Sequence, residues 1–349
     1  EGTEIYSNEK VGPESISAMK IHTVRNRRTP SAARDSHGRD ILPTVRNRDQ
    51  QYAQPFDRTF RQGLAEPHFV ELDLGPLESP KAITLLLTGW IFPTDCNLNV
   101  QLDQHPTLST PEPPSIWVAD GKGDWVEAIP FMGFPSGKTK TIAIDLSDRF
   151  PSNDYRLQIR TSMALRWDEI FFTADDEPCE VRVTPARLLS AELRYRGFCA
   201  PSTPIPGGPE TFDYDRVTTV PIWPPMRGNF TRYGDVLPLL NELDDQMVIF
   251  GAGDDLALAF DALPAPPAGW KRDYLIHNDG WEKDCLLNTV LGQTVEPLPF
   301  RDMPSYPNGG EPHASSPEYQ DYLRKYQTRT QAAAEFWRQI QVSPDRDKR

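Results

Sequence analysis

The segment Tyr155–Phe172 constrains the fold of this chain more than any other stretch. In its first half, Leu157, Ile159 and Thr161 alternate with charged or amide side chains, which is the period of a strand with one buried face. The second half, from Leu165 onward, is too apolar for an exposed strand. We therefore predict two adjacent and largely central strands of a β-sandwich, joined by a short break.

Trp167 and Asp168 place a large aromatic side chain beside a carboxylate within this apolar segment. Such a carboxylate is either a hydrogen-bonded structural group or part of a binding site, because an unpaired buried charge is strongly unfavourable. The surrounding strand pattern favours the structural alternative. We predict that Trp167 lies in the core and that Asp168 is buried and accepts hydrogen bonds. An Asp168 that opens into a cleft beside an exposed aromatic would instead favour a binding module.

The wider pattern indicates an all-β protein. Residues 63–175 contain several short alternating segments separated by Gly, Pro and Asp turns, with almost no helical period. The 35 prolines and 22 glycines fit long structured loops, because aromatic residues make up 10% of the chain and disordered chains are poor in them. We predict a jelly-roll β-sandwich over residues 63–175 and a second β-rich domain with Pro-rich loops over residues 176–315.

The two ends of the chain are predicted to differ from these domains. Residues 1–62 are polar and lack a sustained apolar period, which predicts an extended N-terminal arm with a few short strands. Alternatively, the arm docks on a neighbouring subunit by adding a strand to a sheet edge. Residues 316–349 are predicted to form a C-terminal helix and tail, with Pro317 at the first helical position. The apolar positions that keep the helical period are Tyr319, Tyr322, Leu323, Tyr326, Ala333, Phe336 and Ile340.

The charge of the chain excludes one class of partner. The formal net charge is −13, which argues against nucleic acid because phosphate binding requires a basic surface. Residues 1–62 carry 11 Lys/Arg and 8 Asp/Glu, a balance of +3, which leaves 26 and 42 in the remainder, a balance of −16. No apolar run is long enough to predict a membrane span. Because the chain begins at Glu1 without Met or a signal peptide, we expect a processed piece of a longer precursor.

Several segments, taken in order, resemble one family. They include SAARDSHGRDILPTVRNRDQQYA, GLAEPHFVELDLG, LLLTGW, GFPSGKTKTIAIDLS, YRLQIRTSMALRWDEIFF, TRYGDVLPLL, GDDLALAFDALPAPPAGWKRDYLIHNDGWEKD, QTVEPLPF and YLRKYQTR. They resemble the C-terminal region of secreted bacterial proteins related to cartilage acidic protein, which carry FG-GAP/VCBS propeller repeats and an ASPIC/UnbV domain. The resemblance extends from about Pro30 to about Arg329.

This resemblance implies an extracellular or cell-surface protein of an adhesive or matrix type, with the periplasm as an alternative location. Calcium loops of the kind D-x-D-x-D-G, which the propeller repeats carry, do not occur in this sequence, so the expectation of calcium does not transfer. The resemblance supplies no catalytic residues. Its implied partners are neighbouring protein subunits or an upstream propeller domain. The opening sandwich also looks like a galactose-binding-like jelly roll, a likeness of fold that carries no ligand by itself.

Candidate binding residues centre on a Gly-rich turn that precedes a tryptophan. Carboxylates in such turns bind calcium in some proteins, but they also commonly cap their own backbone. Tryptophans at alternating strand positions either lie in the core or form a platform for sugar rings. The four tryptophans in question are Trp90, Trp117, Trp125 and Trp167, of which Trp125 is expected to be exposed. The candidate ligand-binding residues are Trp125, Asp120, Asp124, Trp167 and Asp168; we predict no metal ligand or cofactor, with calcium as the alternative.

Catalytic and nucleotide-binding motifs are missing from the sequence. Neither G-x-S-x-G nor H-E-x-x-H occurs. Gly133–Thr139 is close to a phosphate-binding loop, but it is one residue too short between its glycines and a predicted strand follows it. We predict no catalytic residue.

The four cysteines are Cys96, Cys179, Cys199 and Cys285, and none of them forms a C-x-x-C motif. Three pairings are open to four cysteines. We predict a disulfide between Cys179 and Cys199, because these two flank a probable strand region.

Three functional hypotheses remain at this point. The first is a non-catalytic extracellular structural or adhesive module that belongs to a larger surface assembly. The second is a carbohydrate-binding module with a glycan partner, and the third is a hydrolase of unknown substrate.

Overall fold

The fold is that of a computed structural model, which describes residues 2–17, 20–221, 226–286, 288–307 and 315–331. Strands account for 35% of the chain and helices for 9%, so the predicted all-β class is confirmed. The chain forms two compact units. The first comprises Glu1–Arg182 and Pro201–Thr211, and the second comprises Val183–Ala200 and the chain from Phe212 onward. The predicted arm and the predicted sandwich therefore belong to the same compact unit.

The first unit contains eleven strands and three short helices among its described residues. The strands are β1 (Glu4–Ser7), β2 (Ile21–Val24), β3 (Ala32–Asp35), β4 (Thr59–Arg61), β5 (Leu64–Asp73), β6 (Ile83–Trp90), β7 (Ser115–Ala119), β8 (Trp125–Ile129), β9 (Lys140–Asp145), β10 (Arg156–Met163) and β11 (Arg166–Ala174). The helices are α1 (Glu14–Ser17), α2 (Leu42–Val45) and α3 (Cys96–Gln104).

Two antiparallel sheets enclose the main core of this unit. The larger sheet has the order β3-β5-β10-β7-β8, with β4 also paired to β5, and the smaller sheet has the order β11-β6-β9. Side chains from both sheets form one buried cluster, for example Leu72 and Leu157 from the larger sheet and Leu85 and Ile144 from the smaller. The unit is therefore a β-sandwich, in which facing sheets exclude water from their inner surfaces.

The predicted adjacency of the two halves of Tyr155–Phe172 is wrong. Strand β10 is central in the larger sheet, whereas β11 belongs to the smaller one, so the chain changes sheet between them. The apolar character of β11 has a different cause from sheet centrality. Phe172 faces the main core, while Phe171 packs on the opposite face with Val24 and Leu86.

The N-terminal residues contain the few short strands that were predicted, but they pack as a third layer on the sandwich, so the prediction of an extended arm is wrong. The hairpin β1–β2 covers the outer face of the smaller sheet, where Tyr6 stacks on Phe171 with ring centroids 5.3 Å apart. The same segment pairs with both edges of that sheet. Arg28 exchanges two backbone hydrogen bonds with Phe172 on β11, and Glu9 donates its N–H to Thr141 on β9. Edge-strand addition thus occurs within the chain, and it removes the open edges of the smaller sheet.

The second unit is built on a smaller core. Its elements, with two paired strands, β13 and β14, that span the division, are β12 (Leu188–Tyr195), β13 (Phe198–Ser202), β14 (Thr211–Thr218), β15 (Gly228–Phe230), β16 (Gly234–Asp235), a 3₁₀ helix (Leu237–Leu239), β17 (Asp254–Phe260), α4 (Pro317–Tyr326) and β18 (Arg329–Gln331). A sheet of order β16-β12-β17 packs against three tyrosines of α4.

The C-terminal helix begins where it was predicted and ends earlier. The Ser316 side chain accepts the N–H of Tyr319, an N-cap that fixes the start of α4. The helix ends at Tyr326, and Arg329–Gln331 then pairs with β15. The remaining predicted positions Ala333, Phe336 and Ile340 lie outside the described residues.

Candidate functional site

Trp167 and Asp168 belong to the scaffold. Trp167 is fully buried in the main core, and Asp168 is buried with it. One Asp168 oxygen accepts the backbone N–H of Gln50 at 2.8 Å and of Asp49 at 3.2 Å. Gln50 has a left-handed backbone with φ of 66°, so the carboxylate anchors a turn that is costly for a non-glycine residue. The predicted burial and hydrogen bonding of Asp168 are confirmed.

A β-bulge explains how a carboxylate enters this core. Pairing of β11 with β6 passes from Trp167 opposite Gly89 to Glu169 opposite Thr88, which leaves Asp168 as the extra residue. The bulge turns Asp168 out of the ladder and toward the 49–50 turn. Burial raises the pKa of Asp168, because it disfavours the charged form of the carboxylate. The second carboxylate oxygen has no hydrogen-bond partner among the described residues.

The outer face of the larger sheet carries polar and aromatic side chains, among them two of the candidate tryptophans. On β10, Leu157 and Ile159 face the core, so Arg156, Gln158 and Arg160 face outward. The alternation in the sequence already predicted that these three side chains face outward. Their neighbours on the adjacent strands depend on the strand order of the sheet, which the sequence did not predict.

Trp117 lies on this outer face beside β10. Its neighbours Ile116 and Val118 are in the core, and Trp117 itself is half-buried opposite Gln158. Its indole N–H donates to Ser115 Oγ at 3.1 Å, and the Arg160 guanidinium lies 4.3 Å from its ring centroid. This cation–π contact fixes the position of the arginine on the sheet.

Trp125 occupies the same face at the edge strand. It pairs with Ala119 and is half-buried, with the Arg156 guanidinium 5.8 Å from its ring centroid. Arg156 donates two hydrogen bonds to Asp154, at 2.9 and 2.6 Å, and this ion pair raises the pKa of Arg156. By contrast, Trp90 is buried and donates its indole N–H to Gly207 O. Two of the four tryptophans are therefore in the interior and two are on the outer face.

The Asp120 turn beside Trp125 is closed by its own backbone. One Asp120 oxygen accepts the N–H of Lys122 at 2.7 Å and of Asp124 at 3.0 Å, and these bonds lower the pKa of Asp120. This is ordinary turn capping, in which the carboxylate takes the place of a backbone acceptor. The turn therefore positions Trp125 at the start of β8.

One group in the described part of the chain has the spacing of metal ligands, and no motif in the sequence predicted it. Atoms of His37, Asp57 and Glu66 lie within 4.8 Å of one another. Protein cations already engage both carboxylates, because Arg39 pairs with Asp57 at 2.8 Å and Arg58 with Glu66 at 3.0 Å. The N–H of Asp57 and the Arg58 side chain lower the pKa of Glu66 to about 2. The group is an ion-pair network.

In the second unit, three separate segments of the chain converge on one ion pair. Arg329 donates to Asp254 at 2.6 Å, and Tyr233 donates its hydroxyl to the other Asp254 oxygen at 2.8 Å. Burial and the Asp254 carboxylate raise the pKa of Tyr233 to about 12. The Arg329 side chain also reaches the carbonyl of Thr231. TRYGDV, GDD and YQTR thus meet because they build one structural network.

Lys283 makes a second group of structural contacts in this unit. Its ammonium donates to the carbonyls of Thr294 at 2.8 Å and Val295 at 2.6 Å, and it lies 4.9 Å from the Tyr306 ring centroid. Burial lowers the pKa of Lys283. Because its donors are used by backbone carbonyls, this lysine orders the loop around Val295.

The predicted disulfide does not form. All four cysteines are free thiols, and Cys179 and Cys199 fall in different units. Cys179 instead joins the N-terminal layer, where its sulfur lies 3.3 Å from Thr3 Oγ1 and its N–H donates to Thr23. The positions of Cys179 and Cys199 on either side of a predicted strand region therefore did not predict which residues Cys179 contacts.

Comparison with known proteins identifies no family for this chain. No family model matches the chain, and no curated protein matches it. Within the described ranges, none of the helices combines the length and apolar character that crossing a bilayer requires.

Proposed function

We propose that the protein is a non-catalytic adhesive module of an extracellular assembly, and that it binds through the outer face of the larger sheet. The observation that carries this proposal is the grouping of Trp117, Trp125, Arg156 and Arg160 on one outward surface. Tryptophan and arginine are the residue types that contribute most to binding energy at interfaces. The extracellular setting rests on the family resemblance.

The pairing of charged groups elsewhere supports a scaffold rather than a catalyst. Asp168 holds a turn, Asp254 holds Arg329 and Tyr233, and Lys283 holds backbone carbonyls. A general acid or base needs an open position from which to reach a substrate proton. Each of these groups makes hydrogen bonds that hold the fold, and the one oxygen that no described residue bonds, on Asp168, is buried.

The proposal is tested by surface plasmon resonance of the full chain. The flow surfaces carry immobilised copies of the chain, matrix proteins or polysaccharide layers. Saturable binding to at least one surface is expected, and the Trp117→Ala/Trp125→Ala variant should lose it. Trp270→Ala is the matched control, because Trp270 is an exposed tryptophan of the second unit. Binding that the double variant retains, or binding to no surface, contradicts the proposal.

A carbohydrate-binding module is the second candidate, and a specific observation favours it. The outward tryptophans alternate with hydrogen-bonding side chains, because Trp117 lies directly opposite Gln158 and Gln158 lies opposite Glu71. Aromatic rings provide an apolar surface for a sugar ring, and adjacent polar groups fix its hydroxyls. This arrangement suits a glycan better than a purely apolar partner.

A further inference from the structure

We infer that the outer face of the larger sheet binds an uncharged oligosaccharide, which stacks on Trp125 and hydrogen-bonds to Glu71 and Arg160, on either side of Gln158. The inference rests on the carbohydrate-binding candidate, and it names the ligand class and the contacting residues.

Arg160 is held against Trp117 with hydrogen-bond donors that no described residue uses. Its Nε donates to Gln158 Oε1 at 2.9 Å, and its guanidinium stacks on Trp117. No carboxylate pairs with it among the described residues, and its two terminal amino groups make no hydrogen bond there. Arg160 is therefore held in one orientation with open donors, which is the state that favours recognition of a hydroxyl or ring oxygen.

Glu71, on the far side of Gln158 from Arg160, offers an open acceptor. Gln158 is buried, and its Nε2 donates to Glu71 Oε2 at 2.7 Å. The other Glu71 oxygen makes no hydrogen bond to a described residue. Gln158, which is bonded to both neighbours, thus separates an open acceptor on Glu71 from open donors on Arg160. A sugar hydroxyl both donates and accepts, so neighbouring hydroxyls can use both groups at once.

The charge of the face decides between neutral and acidic ligands. Four carboxylates and three guanidinium groups face outward on or beside β3, β5, β8 and β10, so the local balance is −1. They are Glu71, Asp73, Glu127 and Asp154, and Arg34, Arg156 and Arg160. The protein as a whole carries −13. A polyanion is repelled both by this face and by the molecule, so an uncharged ligand is favoured.

The extent of the face sets the size of the ligand. The Trp117 ring is occupied by Arg160 at 4.3 Å, whereas Arg156 stays 5.8 Å from Trp125, which leaves Trp125 as the stacking ring. Arg156 and Arg160 mark the two ends, four residues apart on β10. At about 3.3 Å per residue this distance is about 13 Å, which suits several linked sugar rings rather than one.

The test is isothermal titration calorimetry of the full chain with cellohexaose, xylohexaose, mannohexaose and chitohexaose, and with an oligogalacturonate as the acidic probe. Binding to at least one neutral hexasaccharide is expected. Trp125→Ala and Arg160→Lys should each weaken it about tenfold or more, because a stacking surface or a charge-assisted hydrogen bond is lost. Trp270→Ala should bind as the wild type does, and circular dichroism of each variant reports folding.

The outcomes separate this inference from the proposed function. No binding to any neutral probe overturns it, as does binding of the oligogalacturonate alone or binding that Trp125→Ala leaves unchanged. If surface adhesion depends on the outer face but no neutral hexasaccharide competes for it, the inference fails and the adhesive function stands. If adhesion does not depend on the outer face, the proposed function fails.

Discussion

Replacement of Val24 by alanine tests whether the N-terminal residues are a packed layer of the sandwich. Val24 is 3% exposed and contacts Leu86, Ala143 and Phe171 on the smaller sheet, whereas Val11 in the same segment is 43% exposed. Val24→Ala removes two buried methyl groups, each worth about 0.8 kcal/mol, so the loss with its residual cavity is about 2 kcal/mol. Val11→Ala removes the same atoms from a largely solvated site and should cost less than about 0.5 kcal/mol.

The assay is urea unfolding followed by tryptophan fluorescence, since Trp167 is buried in the same unit. At about 2–4 °C per kcal/mol for a unit of this size, thermal unfolding should shift by about 4–8 °C for Val24→Ala. Equal stability of the two variants would show that the N-terminal segment is not packed on the sheet, and the three-layer description would then be wrong. For the same reason, deletion of residues 1–62 should destabilise the sandwich and is not a test of assembly.

Three further predictions concern buried charges and cysteines. Arg329→Met should destabilise the second unit by about 3 kcal/mol, because Asp254 is left buried without its cation, while Arg324→Met, at an exposed position, should be near neutral in the same urea titration. For Asp168, whose pKa is raised in the folded state, the folded protein binds its proton more tightly than the unfolded chain does, so its contribution to stability falls as pH rises above the unfolded value. Asp168→Asn should therefore gain stability relative to wild type as the pH rises above about 4, and urea midpoints of the two proteins that stay parallel as the pH rises would exclude the raised pKa. Finally, thiol titration in denaturant without reductant should count four free cysteines, and dithiothreitol should leave the thermal midpoint unchanged; a lower count would restore a disulfide.

The alternation of single strands was readable from the sequence. Leu157 and Ile159 face the core, and the residues between them face outward. The start of α4 followed from Ser316 and Pro317 for a similar reason, because a cap acts over three or four residues. Both features depend on neighbours in sequence, which is the information that a local pattern contains.

The candidate site was predicted in part. Trp125 was expected to be exposed, and it lies half-buried on the outer face. The residues that we propose act with Trp125 in binding, Arg160 and Glu71, could not be chosen, because they come from strands whose order is β5-β10-β7-β8. Pairing of distant strands depends on the packing of the whole sheet, and many orders are compatible with the same alternation.

The sequence by itself therefore determined the all-β class, the inward and outward faces of β10 and the burial of Asp168. Tertiary structure alone decided that β10 and β11 lie in opposite sheets, that the N-terminal segment closes the smaller sheet, and that Cys179 has no disulfide partner. The physical reason is that side-chain periodicity reports burial, which is local, whereas the identity of the covering partner is set by long-range packing. A polar, aperiodic segment can become a structural layer when an apolar sheet face is available to it.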